Sequence, residues 1–163
     1  MAETIDRQYL TFGINGDIYG VPVARVREVL EYRRPTGLPK MPDFLKGIIN
    51  IRDVGIPVID LRVRFGFAET EKTQDTAIIV IEIENGTSQI LIGAVADEVY
   101  EVIELDPAHL ETPPHIGIDV DANFIKNIGK REDKFIVIVD MDKVFNNDAD
   151  MNFVNGMTAE VPA

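Results

Sequence analysis

The segment GIINIRDVGIPVIDLR, residues 47–62, contains two short apolar runs separated by Asp53-Val54-Gly55. Asp and Gly tolerate the backbone angles of a tight reversal, so this pattern predicts two β-strands joined by a turn at these three residues. Side chains alternate between the two faces of a strand. Ile49 and Ile51 therefore share one face of the first strand, and Arg52 belongs to the other.

Two residues of this segment carry further expectations. We expect the Arg52 guanidinium at the rim of the apolar core, where it can pair with a carboxylate, although a solvated arginine at a strand end fits the same pattern. Pro57 has no N–H to donate, so the second strand is expected to be an edge there or to turn that position away from a neighbour. An exposed edge either is covered or offers a pairing site to a partner.

Composition excludes several classes of function. The 163 residues are 45% apolar and 27% charged, which is ordinary for a globular chain. A net charge of −12 opposes binding to nucleic acid and to anionic lipid. The absence of cysteine excludes disulfides and thiolate metal sites. Without a signal peptide or an apolar run of about 18 residues, the chain is expected to be cytoplasmic.

Most of the chain is predicted to be strand. Residues 9–14 alternate polar with apolar, Asn15-Gly16 is the strongest short hairpin signal, and residues 18–21 return as the second arm. A second hairpin is expected to turn at Glu84-Asn85-Gly86. Further strands are expected at residues 76–84, 89–95, 98–105 and 134–139.

Only brief helices are expected. Pro22 suits the first residue of a helix, which would place Val23, Val26 and Leu30 on one stripe. Residues 61–65 form a second short helix, and Asp140 caps a third that runs through Val144 and Phe145.

Many short strands with few helices predict an all-β fold. The chain is too long for one five-stranded barrel, so two small barrels packed together, with a groove between them, is the economical arrangement. We expect the folded part to span residues 8–146, with an N-terminal extension at 1–7 and a C-terminal tail at 147–163.

Catalytic and metal-binding motifs are incomplete. The only serine, Ser88, lies beside a turn, and Gly129-Lys130 lacks the rest of a phosphate loop. Asp119-x-Asp121-x-Asn123 resembles the start of a calcium loop, but Phe and Lys stand where glycine and glutamate are required. His109 and His115 have no third ligand at metal spacing. We therefore predict no catalytic, cofactor or metal site.

Two other function classes remain as alternatives. One is a divalent-metal-dependent hydrolase that uses Asp119, Asp121 and Asp140, and the other is an RNA-binding barrel, which the negative charge opposes. Small β-barrels more commonly present edges and grooves to protein partners. An apolar groove with a charged rim suits a helical hairpin better than a small ligand.

Four segments in order resemble the CheW-like family of chemotaxis coupling proteins, whose domain also occurs in the histidine kinase CheA. The resemblance runs from about Gln8 to Phe145. The segments are YLTFGINGDIYGVPVARVREVLEY, PDFLKGIINIRDVGIPVIDLRVRFG, the strand pair around TAIIVIEI and LIGAVADEV, and IGKREDKFIVIVDMDKVF.

This resemblance implies a fold, a function and partners. The family fold is two intertwined, five-stranded barrels similar to SH3 domains. Its members are adaptors without enzymatic activity that link the cytoplasmic hairpin tips of chemoreceptors to the regulatory domain of CheA. They are recruited to membrane receptor arrays through these partners, and the resemblance also implies ring assembly with other CheW-like domains. No cofactor is implied.

The resemblance also implies a receptor- and kinase-binding set. Glu28 and Arg52 match a family ion pair at the rim of the receptor-binding groove, and Gly47 matches a glycine where a side chain would intrude. Val26 and Val99 match apolar contact positions, although ordinary core packing explains them equally well. Asp53 departs from the family pattern, which has glycine there, and its carboxylate is expected to compete with Glu28 for Arg52 or to tilt the hairpin.

Overall fold

The computed structural model describes residues 7–68, 71–85, 88–111 and 124–144. These residues form eleven strands, one short α-helix and three 3-10 turns, the turns at Val23–Arg25, Pro107–His109 and Met141–Lys143. In chain order the elements are β1 (Gln8–Ile14), β2 (Asp17–Pro22), β3 (Val26–Glu31), β4 (Leu45–Ile51), β5 (Val54–Asp60), α1 (Leu61–Arg64), β6 (Ala77–Asn85), β7 (Ser88–Ala96), β8 (Glu98–Glu104), β9 (Leu110–Glu111), β10 (Ile125–Arg131) and β11 (Lys134–Val139).

The strands form two sheets. A six-stranded sheet has the order β8-β1-β2-β11-β10-β9, and a five-stranded sheet has the order β3-β6-β7-β5-β4. Because β3 to β7 are consecutive in the chain, the five-stranded sheet is inserted between β2 and β8 of the other. Neighbours are antiparallel except for β2 with β11 and β5 with β7. The prediction of an all-β fold with two small units sharing one chain is confirmed.

The six-stranded sheet curls so that its two edge strands approach each other. Strands β8 and β9 lie at opposite edges but are separated by only residues 105–109. Six extended residue steps span at most about 21 Å, whereas six flat strands span about 24 Å. The side chain of Leu105 lies under Gly129 of β10, where an added Cβ would be 2.9 Å from Leu105 Cδ1. We call this sheet, with its own core, the first barrel; the core consists of Tyr9, Ile103, Leu105, Ile136 and Ile138.

The five-stranded sheet closes in the same way. Its edge strands are β3 and β4, and Thr36, just beyond β3, forms two backbone hydrogen bonds with Ile48 of β4, at 2.8 and 3.0 Å. This sheet, with its own core, is the second barrel. Its core residues are Ile49, Ile56, Val58, Ile78, Val80 and Val95.

A third and larger cluster of buried residues packs the two barrels together, and we call it the seam. Phe12 and Ile14 reach it from β1, and Ile79, Ile81 and Ile83 reach it from β6. Alternate residues of β6, such as Ile78, face the core of the second barrel instead. Strand β6 is therefore buried on both faces, which explains its continuous β-branched run.

An aromatic row crosses the seam. The rings of Phe12 and Tyr19, from β1 and β2, are 6.1 Å apart, and Tyr19 lies 5.3 Å from Phe65, just after α1. Phe65 in turn stacks on Phe124 at 4.6 Å. Burial raises the pKa of Tyr19 above its usual value of 10.0, as its place in the seam requires.

The structure corrects two local predictions. The helix expected after Pro22 is only the 3-10 turn Val23–Arg25, and Val26 onward is strand β3, which pairs with β6. The turn expected at residues 53–55 lies one residue earlier, at Arg52 and Asp53, because Ile51 pairs directly with Val54. Tertiary pairing outweighs local helix preference in the first case.

Other local predictions are confirmed. Asn15 and Gly16 form the first hairpin turn with φ angles of 54° and 85°. The short helix after Asp60 is present as α1, and Asp140 caps the last 3-10 turn. Strand β5 is an interior strand, but its pairing with β7 begins at Val58, so Pro57 lies just outside that pairing.

Several sequence-based expectations fall outside the described residues. These are the N-terminal extension apart from Arg7, the turn residue Gly86, His115, the calcium-loop-like residues Asp119, Asp121 and Asn123, Phe145 and the tail at 147–163. Within the described part of the chain, no helix is long and apolar enough to cross a membrane.

Candidate functional site

The tip of the β4–β5 hairpin presents Arg52 to solvent. Arg52 and Asp53 form a two-residue loop with φ angles of 49° and 66°, the left-handed pair that matches the twist of a tight hairpin. The Asn50 side chain stabilises this loop by accepting a hydrogen bond from the Asp53 N–H at 2.9 Å. The Arg52 side chain is 80% exposed as a result.

Arg52 pairs with Glu28 of β3, on the opposite edge of the second barrel. Its Nη1 donates to Glu28 Oε2 at 2.8 Å, and the Glu28 side chain is 26% exposed. Arg33 reinforces this closure by donating from Nη1 to the carbonyl oxygen of Asn50 at 3.3 Å. In the described part of the chain, Asp53 forms no ion pair with Arg52, so the expected competition with Glu28 is not observed.

A bulge in β3 separates Val26 from Glu28. Val26 lies opposite Ile81, which faces the seam, whereas Glu28 lies opposite Val80, which belongs to the core of the second barrel. Directly opposed residues point to the same face, so the extra residue at Arg27 switches the strand from one face to the other. Val26 therefore packs against the seam while Glu28 reaches Arg52.

Gly47 allows two backbones to approach each other. Its φ of 139° disfavours any side chain, and an added Cβ would overlap the carbonyl oxygen of Thr36 and lie 2.6 Å from its carbonyl carbon. Thr36 is the residue that bonds Ile48 and closes the second barrel. The expectation that a side chain at position 47 would intrude thus has a structural cause.

Val99 lies apart from the other candidates, on β8 of the first barrel. It is half-buried and packs against the seam, as Val26 does. The five candidate residues therefore divide into a seam pair, Val26 and Val99, and a second-barrel group. The sequence predicted a groove between the barrels and a charged rim, but the ion pair of Arg52 spans two edges of one barrel, because β3 and β4 meet when that sheet curls.

Sequence reasoning missed a cleft on the first barrel. It has a volume of about 800 Å³, and its walls include Tyr100 and Phe135, which are 43% and 62% exposed. The Arg131 guanidinium pairs with Glu101 at 3.8 Å, and both residues line this cleft. A phenylalanine in an apolar strand predicts core, so no local signal indicated its exposure.

Sequence reasoning also missed a buried arginine. Arg62 is 1% exposed, and it binds Asp60 through two hydrogen bonds, at 2.7 and 2.9 Å. The only local signal is the aspartate two residues earlier, which also caps α1 by accepting from the Arg62 N–H.

Only part of the hydrolase alternative falls on described residues. They contain no group of three or more His, Asp or Glu side chains placed to hold a metal ion. Asp140, the described member of the proposed hydrolase set, accepts a hydrogen bond from the Asp142 N–H at 3.0 Å as a turn cap.

Comparison with known proteins identifies the family. The model of the CheW-like domain matches residues 8–149. The chain belongs to the CheW-like family. It is therefore a chemotaxis scaffold of a non-enzymatic kind, and the resemblance noted in the sequence is confirmed.

Individual CheW proteins align over nearly the whole chain. The chemotaxis protein CheW of Bacillus subtilis is 32% identical over 146 residues, covering 89% of this chain and 90% of the relative. That of Klebsiella aerogenes is 27% identical, covering 90% and 86%. The crystal structure of the scaffolding protein TtCheW from Thermoanaerobacter tengcongensis superposes with a TM-score of 0.78 at 34% identity, covering 88% of this chain and 95% of that one.

Proposed function

We propose that this CheW-like chain is a coupling adaptor that links the cytoplasmic hairpin tips of chemoreceptors to the regulatory domain of the histidine kinase CheA. The observation that carries the proposal is Arg52, which is 80% exposed at the hairpin tip and is held there by Glu28. An exposed ion pair stabilises a fold by only ~0–1 kcal/mol, so the Arg52–Glu28 pair contributes little to the stability of the fold. An oriented, exposed guanidinium is well suited to recognising a partner.

The contact surface in this proposal comprises Val26, Glu28, Gly47, Arg52 and Val99. Arg52 and Glu28 supply charge recognition, and Val26 and Val99 supply partly exposed apolar area. Gly47 lets β4 approach the Thr36 backbone in the same barrel that carries Arg52. The adaptor acts in the cytoplasm without direct membrane binding and reaches receptor arrays through its partners. Assembly into rings with other CheW-like domains is part of the same proposal.

Titration calorimetry tests this proposal, with a receptor cytoplasmic fragment and the CheA regulatory domain as separate ligands. We expect both to bind the full chain. We expect Arg52→Glu to weaken receptor binding, whereas Arg131→Glu, which breaks an exposed ion pair on the first barrel, leaves it unchanged. Absence of binding to both ligands overturns the proposal.

A further inference from the structure

A buried guanidinium lies where the second barrel meets the first. Arg62, in α1, is the largest fully buried side chain among the described residues, and the Asp60 carboxylate that it binds is 2% exposed. Removing two charges from water is unfavourable, and apolar residues of similar volume often stabilise a fold as well or better. Such a pair is therefore better explained by the geometry it imposes than by stability.

Arg62 extends this geometry to the first barrel through Asp97. Its Nη1 donates to Asp97 Oδ1 at 3.3 Å, while Asp97 Oδ2 accepts from the Asn15 N–H at 2.8 Å. The Asp97 N–H also donates to the carbonyl oxygen of Gly13 at 2.9 Å. Asp97 is the single residue between β7 and β8, where the chain crosses from one barrel to the other. The β1–β2 hairpin is thus tied to the helix of the second barrel.

A second charged link crosses between the barrels through a different part of the chain. Asp142, which follows β11 of the first barrel, accepts at Oδ1 from the Glu84 N–H of β6 at 2.8 Å. Its other oxygen pairs with Arg25 Nη2 at 3.0 Å. Arg25 lies in the turn between β2 and β3 and also donates to the carbonyl oxygen of Glu82 at 3.3 Å.

We propose that Asp97 and Asp142 are positioning residues that hold the two barrels in a single relative orientation. The apolar seam brings the barrels together, but hydrophobic contact is non-directional and favours burial rather than one angle. Charge-assisted hydrogen bonds have narrow geometric requirements, so two of them at different points of the seam define that angle.

This inference rests on the proposed function for its consequence. Val99 belongs to the first barrel and Arg52 to the second, so a partner that touches both meets a fixed arrangement rather than two independent surfaces. If the orientation of the two barrels is fixed before binding, the partner does not have to order them, and binding loses less conformational entropy. Asp97 and Asp142 then act on the partner through the barrels that they orient, without touching it.

Distance measurement between paired spin labels tests the orientation in the free protein. The chain has no cysteine, so Glu31→Cys on the second barrel and Lys130→Cys on the first can be labelled uniquely. We expect one narrow distance distribution in the otherwise unchanged chain. We expect at least a twofold broader distribution, or a shifted one, when Asp97→Ala and Asp142→Ala are combined, and a smaller change of the same kind in each single variant.

Three controls separate positioning from general loosening. The Asp106 carboxylate accepts a hydrogen bond from the Ala108 N–H at 2.9 Å, within the first barrel. Asp106→Ala removes this cap and is expected to leave the distance distribution between the barrels unchanged. A label pair at Glu104→Cys and Lys130→Cys, both on the first barrel, is expected to stay narrow in every background. Asp97→Asn keeps a side-chain acceptor and is expected to recover much of the narrow distribution that Asp97→Ala broadens.

Two outcomes overturn the inference. One is an unchanged distribution between the barrels in all folded variants, including the single ones if the double variant fails to fold. The other is equal broadening of the pair within the first barrel. The label measurement is made without any partner. The proposed function is decided separately, by whether receptor or kinase fragments bind the unchanged chain.

Discussion

Arg52 and Glu28 are 24 residues apart in sequence and lie at opposite edges of the second barrel, yet their side chains meet at 2.8 Å. The contact forms because the sheet curls until β3 faces the β4–β5 hairpin. The hairpin loop then directs Arg52 towards β3 and leaves most of its side chain in solvent.

Reversing the charge at position 52 is the first prediction. We expect Arg52→Glu to change the free energy of unfolding by no more than about 1 kcal/mol, because the pair is exposed. We expect it to weaken receptor binding by roughly tenfold, or ~1.4 kcal/mol. Circular dichroism, urea denaturation and calorimetry measure these effects together. The double variant Glu28→Arg with Arg52→Glu restores the ion pair with its charges exchanged. Full recovery of receptor binding in this variant would show that the partner recognises the pair rather than the position of each charge.

The second prediction concerns Gly47. We expect Gly47→Ala to lower the free energy of unfolding by about 2–3 kcal/mol, because the new Cβ meets the Thr36 backbone and the φ of 139° is strained for alanine. Gly55→Ala is the matched control. Gly55 is on the paired strand, has no heavy atom within 4 Å of an added Cβ, and should change the unfolding free energy by less than about 1 kcal/mol. Equal stability of the two variants in urea would contradict this account of Gly47.

Asp53, where the family resemblance led us to expect glycine, provides the third prediction. Its φ of 66° suits glycine, but the Asn50 side chain already stabilises the loop by bonding its N–H. Since Arg52 bonds Glu28, we expect Asp53→Gly to leave receptor affinity within about twofold, or ~0.4 kcal/mol. A much larger gain in calorimetry would mean that the Asp53 carboxylate repels the partner or draws Arg52 from Glu28.

Tyr100 gives a prediction at alkaline pH. Its hydroxyl donates to Glu98 Oε1 at 2.5 Å, and this bond, with burial and nearby carboxylates, raises the pKa of Tyr100 to about 12. A raised pKa in the folded state favours the protonated phenol. Its contribution to stability is therefore complete below pH 10, the usual tyrosine pKa, and is lost as the pH rises towards 12. In a titration followed by tyrosinate absorbance, Tyr100→Phe should lack one group that ionises near pH 12 in the unchanged chain. If the group lost in this variant ionises near pH 10 instead, the assignment is contradicted.

Sequence reasoning predicted the strands well where the physical signal is local. Asn15-Gly16 adopts the left-handed angles that its residue types favour, and the β-branched run of β6 is buried. It failed at Val26, because Val-Arg-Glu-Val-Leu-Glu satisfies a helical stripe as readily as a strand. Only pairing with β6, some 50 residues later, decides that segment.

The candidate site was predictable only through family resemblance. The residues alone left Arg52 as either paired or solvated, and nothing local identifies Glu28 as its partner. The burial of Arg62 was not predictable, because a charged residue in a short helix suggests a surface position. Its second carboxylate partner, Asp97, is 35 residues away in the chain.

The most direct test of the coupling role is the molar mass of the complex formed when the chain, a receptor cytoplasmic fragment and the CheA regulatory domain are mixed. Light scattering after size-exclusion chromatography measures it. The adaptor account predicts one species that contains all three proteins and is lost when the chain is omitted. Only binary complexes that exclude one another, or no complex at all, would contradict it.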